Sequence, residues 1–495
     1  MKNKGYSNIF KSTFLFGFVQ VFNILIKIVL NKVAAIYLGA GGIGMIGLFQ
    51  SAIAIIKTFS GMGIHQSAVK TVAEAKGVDV EVNAVRAITI VRRIVFWTGL
   101  IGGVVAFILA PVLSQLAFES GDYTTPFMWL SLVVVFNVLT DGYLSILKGL
   151  RRLNDLAKAS MLGALGGVIA GVPLYIFLGE RGIVPALIAA SFFTLLFAIY
   201  YLKKINIKRM EISFKATITE SSDMVRMGFT LMIASFAALL TEFVIRSYIS
   251  NVAGLEQVGF FHAGHVILTA YFGIIITALV TDYYPRISSI NTQNELVQEE
   301  LNKQIKVGFL LIGPLVILFI LFLNLSLELL YSNEFLRSSE YIVFAVFGTL
   351  VTIASNPLDL VLIAKSEAKL FLIISLIYRV IEVGLLIFGY QLGGLSGLGV
   401  ATTLVALLHF IIMFSVNKWR YEINIEWSTW KIILNIILLT FLSVITYRIE
   451  SLALYASGSV ILLITSIMYS LSVMKKEMQI DVIKLGMDRL KNGNT

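Results

Sequence analysis

An ionisable side chain held in hydrocarbon costs several kcal/mol unless it faces water, a partner or a bundle interior, so each one inside a long apolar run is a candidate for function. Ten such groups stand out in this sequence: Lys27, Lys32, Lys57, Asp141, Glu242, Arg246, Asp282, Asp359, Arg379 and Glu382. Helical spacing sorts them. Glu242 and Arg246 are four apart and Arg379 and Glu382 three apart, so each pair shares a helix face and either staples neighbouring helices or lines a cavity. Lys27 has no acid within helical reach. It shares a face with Gln20, Asn23 and Asn31, a polar stripe expected to line a wet cavity in which a cation can hold an anion. Glu242 stands at a corresponding depth in a later run, where it is expected to meet Lys27. Asp141 and Asp359 occupy nearly matching places in two runs and are candidates for gating or for binding H+ or Na+. His262 and His265, three apart beside Gly259 and Gly264, lack carboxylate support and read as a hydrogen-bonded cavity pair rather than a metal site. Lys32 is expected to snorkel outward, Lys57 to reach the inner interface, and Asp282 to be solvated at an inner mouth. The chain has no cysteine, which excludes disulfides, thiolate metal sites and cysteine nucleophiles.

The elements that must carry these groups follow from composition. With 58% hydrophobic and 14% charged residues and a mean hydropathy of +0.88, a 495-residue chain cannot cover a soluble globule, so lipid is its solvent. The apolar runs are long and unbroken, which means helices rather than a barrel. The fold expected is an all-α polytopic bundle of about fourteen transmembrane helices. Spans are placed near 9–37, 40–64, 88–117, 127–148, 157–178, 182–202, 226–250, 259–283, 307–331, 340–363, 369–390, 396–417, 429–447 and 457–474. The first run is longer and more polar than a secretory signal, so Met1 is read as the retained start.

With both termini inside, about 31 Lys and Arg fall in inner segments, about 3 in outer loops (Arg181, Arg337, Arg448) and about 5 within spans. The net charge of +10 is therefore a topology signal and a fit to anionic headgroups, not a nucleic-acid patch. A cytoplasmic (inner) membrane location with N- and C-termini cytoplasmic is expected. The longer inner connections, 65–87, 203–225 and 284–306, are each long enough for a short amphipathic helix, and the tail 475–495 reads as a surface-lying one. Pro173, Pro314 and Pro357 lie within spans and are candidate hinges, and Gly163, Gly166, Gly167 and Gly171 form a small-residue face. No phosphate-binding loop, zinc-protease motif or nucleophile elbow occurs, which disfavours both ATP-driven transport by this chain alone and enzymatic catalysis.

Sliding the chain on itself by about 215 residues sets GIGMIGLFQS (Gly42 to Ser51) beside QVGFFHAGHV (Gln257 to Val266), with Gly44 over Gly259 and Lys27 over Glu242. Two basic turns, LKGLRRL at Leu147 to Leu153 and IAKSEAK at Ile363 to Lys369, fall in the same order. The expected organisation is two pseudo-symmetric six-helix lobes, 1–202 and 226–417, joined by an inter-lobe linker at 203–225. An appended helical hairpin at 429–474 and the tail at 475–495 follow. Six spans separate the copies, so the repeat is parallel and its halves can rock around a shared cavity.

The stretch NKVAAIYLGAGGIGMIGLFQSAIAIIKTFSGMGIHQSAVKTVAEAKG (Asn31 to Gly77) resembles Wzx-type flippases of lipid-linked oligosaccharides, and within them the O-antigen and enterobacterial common antigen translocases. The similarity continues through LSILKGLRRLNDLAKAS (Leu144 to Ser160) and more weakly through Val258 to Ser288. The resemblance implies the multidrug, oligosaccharidyl-lipid and polysaccharide exporter superfamily: two lobes around a central cavity, alternating access, and transfer of an undecaprenyl-pyrophosphate-linked glycan to the outer leaflet. It implies a role in lipopolysaccharide or related polysaccharide biosynthesis. The partners implied are membrane lipids, the lipid-linked glycan, a polysaccharide polymerase and a chain-length regulator. No organic cofactor is implied, and the choice between H+ and Na+ stays open. A diphosphate crossing hydrocarbon needs cations such as Lys27, Arg246 and Arg379. The hairpin 429–474 departs from the twelve-span pattern toward fourteen-span lipid II flippases. A drug or cation antiporter of the same superfamily would instead need an acidic cavity. A glycan polymerase or ligase would need a large outer loop, whereas the longest here is about nine residues near Phe118 to Pro126.

Overall fold

Peptide groups inside hydrocarbon have no water to bond, so an apolar run must close its hydrogen bonds within itself. In the computed structural model, which describes residues 2–78, 82–205, 210 and 212–478, the runs do so as helices. In chain order they are α1 (Lys2–Gly61), α2 (Ile64–Val78), α3 (Val82–Phe118), α4 (Thr124–Gly149), α5 (Leu153–Leu178), α6 (Ile183–Lys203), α7 (Phe214–Ala253) and α8 (Leu255–Val266). A turn of π-helix at Ile267–Tyr271 leads into α9 (Phe272–Ser289), then α10 (Asn294–Leu321), α11 (Leu323–Leu330), α12 (Ser339–Ala364), α13 (Ala368–Tyr421), α14 (Trp427–Tyr447) and α15 (Leu452–Met478). Among the described residues eleven helical stretches are long and apolar enough to cross a membrane. Three of them, of 44, 51 and 53 residues, are about twice the length one crossing needs. They break at Gly39, at the 3-10 turn Gly179–Gly182 and at Gly393 and Gly394, which brings the spans to the expected fourteen.

These breaks also reveal the duplication. Gly179 has φ 56, ψ −134 and Gly394 has φ 55, ψ −134, a backbone region open to glycine and closed to residues with a Cβ. They stand 215 residues apart, as do Gly39 and Gly254, also at positive φ, and the left-handed Arg151 and Ser366. The offset inferred from weak sequence similarity thus recurs in the dihedral angles of three separate turns.

The chain divides into two compact units. Unit 1 comprises Met1–His262 with Leu330–Glu334, and unit 2 comprises Ala263–Leu329 with Phe335–Thr495. The division falls later than the expected linker, because α7 packs with α1, α2 and α3 and the first turns of α8 pack with α1. Glycines allow that approach: a Cβ on Gly259 would stand 2.0 Å from the Ala40 carbonyl oxygen, and one on Gly63 2.2 Å from that of Gly228.

Of the three long inner connections, the first holds the expected amphipathic helix, α2. It buries Val72 against Gly149 of α4 and turns Lys70 and Glu74, 3.8 Å apart, outward. The third does not, since α9 and α10 extend into it and leave a short turn. In the second, the Ser213 hydroxyl accepts a hydrogen bond from the Ala216 amide and caps α7 directly. Span 9, expected at 307–331, is α10 and α11 with a break at Phe322. Pro173, Pro314 and Pro357 lie inside continuous helices; the non-helical dihedrals within merged helices fall on glycines instead. Residues 479–495 of the tail lie outside the described residues.

Candidate functional site

In unit 1 two polar cavities, of about 200 and about 340 Å³, share His65 and Asp141. The first half of α1 supplies Gln20 and Asn23, the second half Lys57, α2 opens with His65, and α4 supplies Asp141 and Lys148. His65 is placed by the tight turn before α2, where Met62 and Gly63 both have positive φ. Lys57, expected to reach toward the inner interface, has a tertiary partner: its ammonium is 2.7 Å from Asp141, and each side chain is about a third exposed. The side-chain oxygen of Asn23 is buried with no hydrogen-bond partner among the described residues. Crowding by the surrounding helices lowers the His65 pKa below its ordinary value; Asp141 opposes that shift, while Lys57 and Lys148 add to it. The ring still opens on the cavity, so its desolvation is partial.

Lys27 and Asn31, further along α1, line neither cavity. Lys27 is exposed and forms no ion pair with any described residue, so the expected meeting with Glu242 does not occur. The reason is local: Glu242 accepts a hydrogen bond at 3.0 Å from Arg246 one helical turn on, and that guanidinium is 4% exposed. His262 is buried and packs against Gly47, where a Cβ would stand 2.8 Å from Nδ1. His265 begins in unit 2, and its carbonyl accepts the Thr269 hydroxyl at 2.7 Å. The side chain of Asp282 lies outside the described residues.

Unit 2 gathers a second polar group. Arg379 donates to Glu382 at 2.5 Å and its guanidinium lies over the Tyr378 ring, 5.3 Å from the centroid. Tyr378 stacks obliquely on His409 with centroids 4.6 Å apart, and His409 Nε2 is 3.4 Å from Asp359 Oδ1. No hydrogen bond joins the two, and this buried carboxylate oxygen lacks a hydrogen-bond partner among the described residues. The duplication shows how the group arose. At the equivalent crossing of unit 1, 215 residues earlier, Gly163 packs against Thr194, where a Cβ would stand 2.8 Å from the Thr194 backbone. Tyr378 and His409 occupy those two places in unit 2, and Glu382 replaces Gly167. Helical spacing exposed Arg379 and Glu382 to sequence reasoning. It missed His65, Lys148, Tyr378 and His409, whose partners are tertiary, although Tyr378 adjoins Arg379.

Several of the charged groups of this many-span bundle thus gather around internal cavities. The chain belongs to the family described as polysaccharide biosynthesis protein, whose model matches residues 9–291, and residues 167–466 match the model for the lipid II flippase MurJ. By these family matches it is a flippase or transporter and not an enzyme. Among solved structures, that of a lipid II flippase MurJ in an inward closed conformation is similar, with TM-score 0.72 and 13% identity, covering 95% of this chain and 100% of that one. An inward-facing multidrug resistance MATE family transporter matches with TM-score 0.63 and 18% identity over 83% of this chain and 99% of that one. A MOP superfamily transporter from Pyrococcus furiosus matches with TM-score 0.54 and 15% identity over 81% and 94%. At these identities the likeness is one of fold. A comparison with curated proteins finds no match.

Proposed function

We propose that this protein moves an undecaprenyl-pyrophosphate-linked oligosaccharide, of O-antigen type or a related polysaccharide unit, from the inner to the outer leaflet of the cytoplasmic membrane by alternating access. The observation that carries this reading is the pair of adjoining polar cavities of unit 1, taken together. Lys57 and Lys148 outnumber Asp141 there, and His65, Gln20 and Asn23 add neutral hydrogen-bonding groups. A diphosphate competes with Asp141 for Lys57 and gains Lys148, while sugar hydroxyls find donors and acceptors in Asn23 and Gln20. The isoprenoid tail stays in lipid throughout. Lys27, exposed and without an ion pair to any described residue, is a further cation for the anionic headgroup. Glu242 and Arg246 remain candidate cavity groups, with Arg246 supplied with a counter-charge that a headgroup must displace.

Coupling is assigned to the group in unit 2. Na+ requires a cage of oxygens, whereas Glu382 is held by Arg379, leaving Asp359 beside His409 as a pair suited to exchanging a proton. The match to the lipid II flippase model and the fourteen-span layout with a C-terminal hairpin favour a second cargo of the same chemistry, a peptidoglycan precursor on the same diphosphate carrier. A cationic drug fits poorly in a cavity with a surplus of lysine. The neighbours expected are a polysaccharide polymerase and a chain-length regulator, with both termini cytoplasmic. The test is reconstitution of the purified chain with fluorescent lipid-linked oligosaccharide and, separately, fluorescent lipid II, followed by a membrane-impermeant quencher. Protein-dependent loss of the protected inner-leaflet fraction for the oligosaccharide supports the reading. Loss for lipid II alone replaces the cargo, and loss for neither refutes transport of lipid diphosphates.

A further inference from the structure

Unit 1 also holds a cavity that is larger than the two polar ones and is mostly apolar. A groove of about 800 Å³ is walled by Met45 and Phe49 of α1, Trp129 and Phe136 of α4, and Ile188 and Phe192 of α6. Trp129 is 58% and Phe192 46% exposed, so the groove opens outward, and the Phe136 and Phe192 rings, 6.0 Å apart, meet at its inner end. Two features define an occupant. The first is length. From Pro126 to Phe136 the groove follows α4 for about 15 Å at helical rise, which is half of a hydrocarbon core about 30 Å thick. It is one leaflet deep. The second is the distribution of polar groups, which are confined to the end carrying Tyr123, Thr125, Glu180 and Arg181. Positive-inside asymmetry assigns this end to the outer side. Glu180 and Arg181 are both exposed, adjacent and opposite in charge, yet neither forms an ion pair with the other or with any described residue.

We propose that this groove seats the hydrocarbon chain of one outer-leaflet zwitterionic glycerophospholipid, with the headgroup phosphate at Arg181 and a primary ammonium at Glu180. An anionic lipid satisfies Arg181 and leaves Glu180 facing its phosphate, whereas phosphatidylethanolamine satisfies both. The apolar wall supplies affinity and the charged rim supplies headgroup choice. The seat is separate from the polar cavity and holds whatever the transported cargo is.

The full-length protein, purified and delipidated, is titrated with phosphatidylethanolamine and phosphatidylglycerol and read by native mass spectrometry. One tightly held phosphatidylethanolamine is expected, preferred over phosphatidylglycerol. Glu180→Gln should reduce that preference about threefold to fivefold, the scale of one exposed ion pair, and Ala189→Phe, which fills the groove from α6, should remove the bound lipid. Should Ala189→Phe fail to fold, a variant with Trp97, Trp419, Trp427 and Trp430 replaced by phenylalanine isolates Trp129. Brominated-chain phosphatidylethanolamine at low mole fraction should then quench it more than the matched phosphatidylglycerol. Equal retention or quenching by the two lipids, a preference for phosphatidylglycerol, or a preference unmoved by Glu180→Gln overturns the proposal.

Discussion

Replacing Lys57 by methionine removes one partner of an ion pair 2.7 Å long whose two side chains are 33% and 32% exposed. The direct Coulomb attraction at that distance is about 6 kcal/mol at an effective dielectric constant of 20. Most of it is offset by desolvation of both ions and by the water each still meets, so the net coupling should be about 1 to 2 kcal/mol. Lys57→Met strands the Asp141 carboxylate and should cost about 2 kcal/mol of stability. Asp141→Asn strands the ammonium and should cost somewhat less, since a lysine stem has more freedom to reach water. The double variant Lys57→Met/Asp141→Asn should recover most of the loss, and that non-additivity is the coupling. Denaturant or thermal unfolding in detergent, followed by tryptophan emission, gives the stability cycle. The same four proteins in proteoliposomes give transport. Stability should return in the double variant while movement of the lipid-linked glycan stays lost, because the cation that meets the diphosphate is gone. Strictly additive single losses would refute the pairing, and normal transport in the double variant would refute the role given to Lys57.

Lys27→Ala should abolish export of the glycan while the protein still inserts at normal abundance; surface glycan at parental level in that variant would remove Lys27 from the path. Gly259→Val should destabilise by about 2 to 3 kcal/mol or block folding, because its Cβ would stand 2.0 Å from the Ala40 carbonyl oxygen with backbone on both sides. Thermal unfolding checks this, and an unchanged midpoint contradicts the close crossing. His65 is held below its ordinary pKa of 6.5 in the folded protein, so as pH falls below 6.5 the unfolded chain takes up a proton that the folded chain resists. Stability should therefore fall as pH drops from 7 through the folded value, and His65→Gln should flatten that dependence; identical slopes in the two proteins would contradict it.

Much of this architecture was legible because hydrocarbon leaves so few choices. Apolar length gave the spans, and charge asymmetry gave the side expected for each loop. Residues three or four apart gave Glu242 with Arg246 and Arg379 with Glu382, since one helix carries both members. The repeat was visible as a faint 215-residue offset and became firm in dihedral angles, because glycine at a helix break is selected for its backbone and leaves little else in the sequence. Long-range pairing was not legible. Lys57 looked like a snorkelling lysine because nothing along the chain announces that α4 brings Asp141 to it. Asp359 and His409 are fifty residues apart on different helices, and His409 sits in an apolar run with no polar face. The expected meeting of Lys27 and Glu242 rested on repeat symmetry alone, and a local arginine took the carboxylate instead.

The central claim is that the two adjoining cavities, which share His65 and Asp141 and carry Gln20 on one side and Lys57 on the other, receive the diphosphate headgroup. Because the chain has no native cysteine, Gln20→Cys introduces a single thiol on the cavity wall. The rate at which a charged methanethiosulfonate modifies it can be followed with and without ligand. Lipid-linked diphosphate oligosaccharide should slow modification at least tenfold while the neutral polyprenol does not, and modified protein should no longer move the lipid. A modification rate unchanged by the diphosphate lipid, or full transport after modification, would contradict the claim.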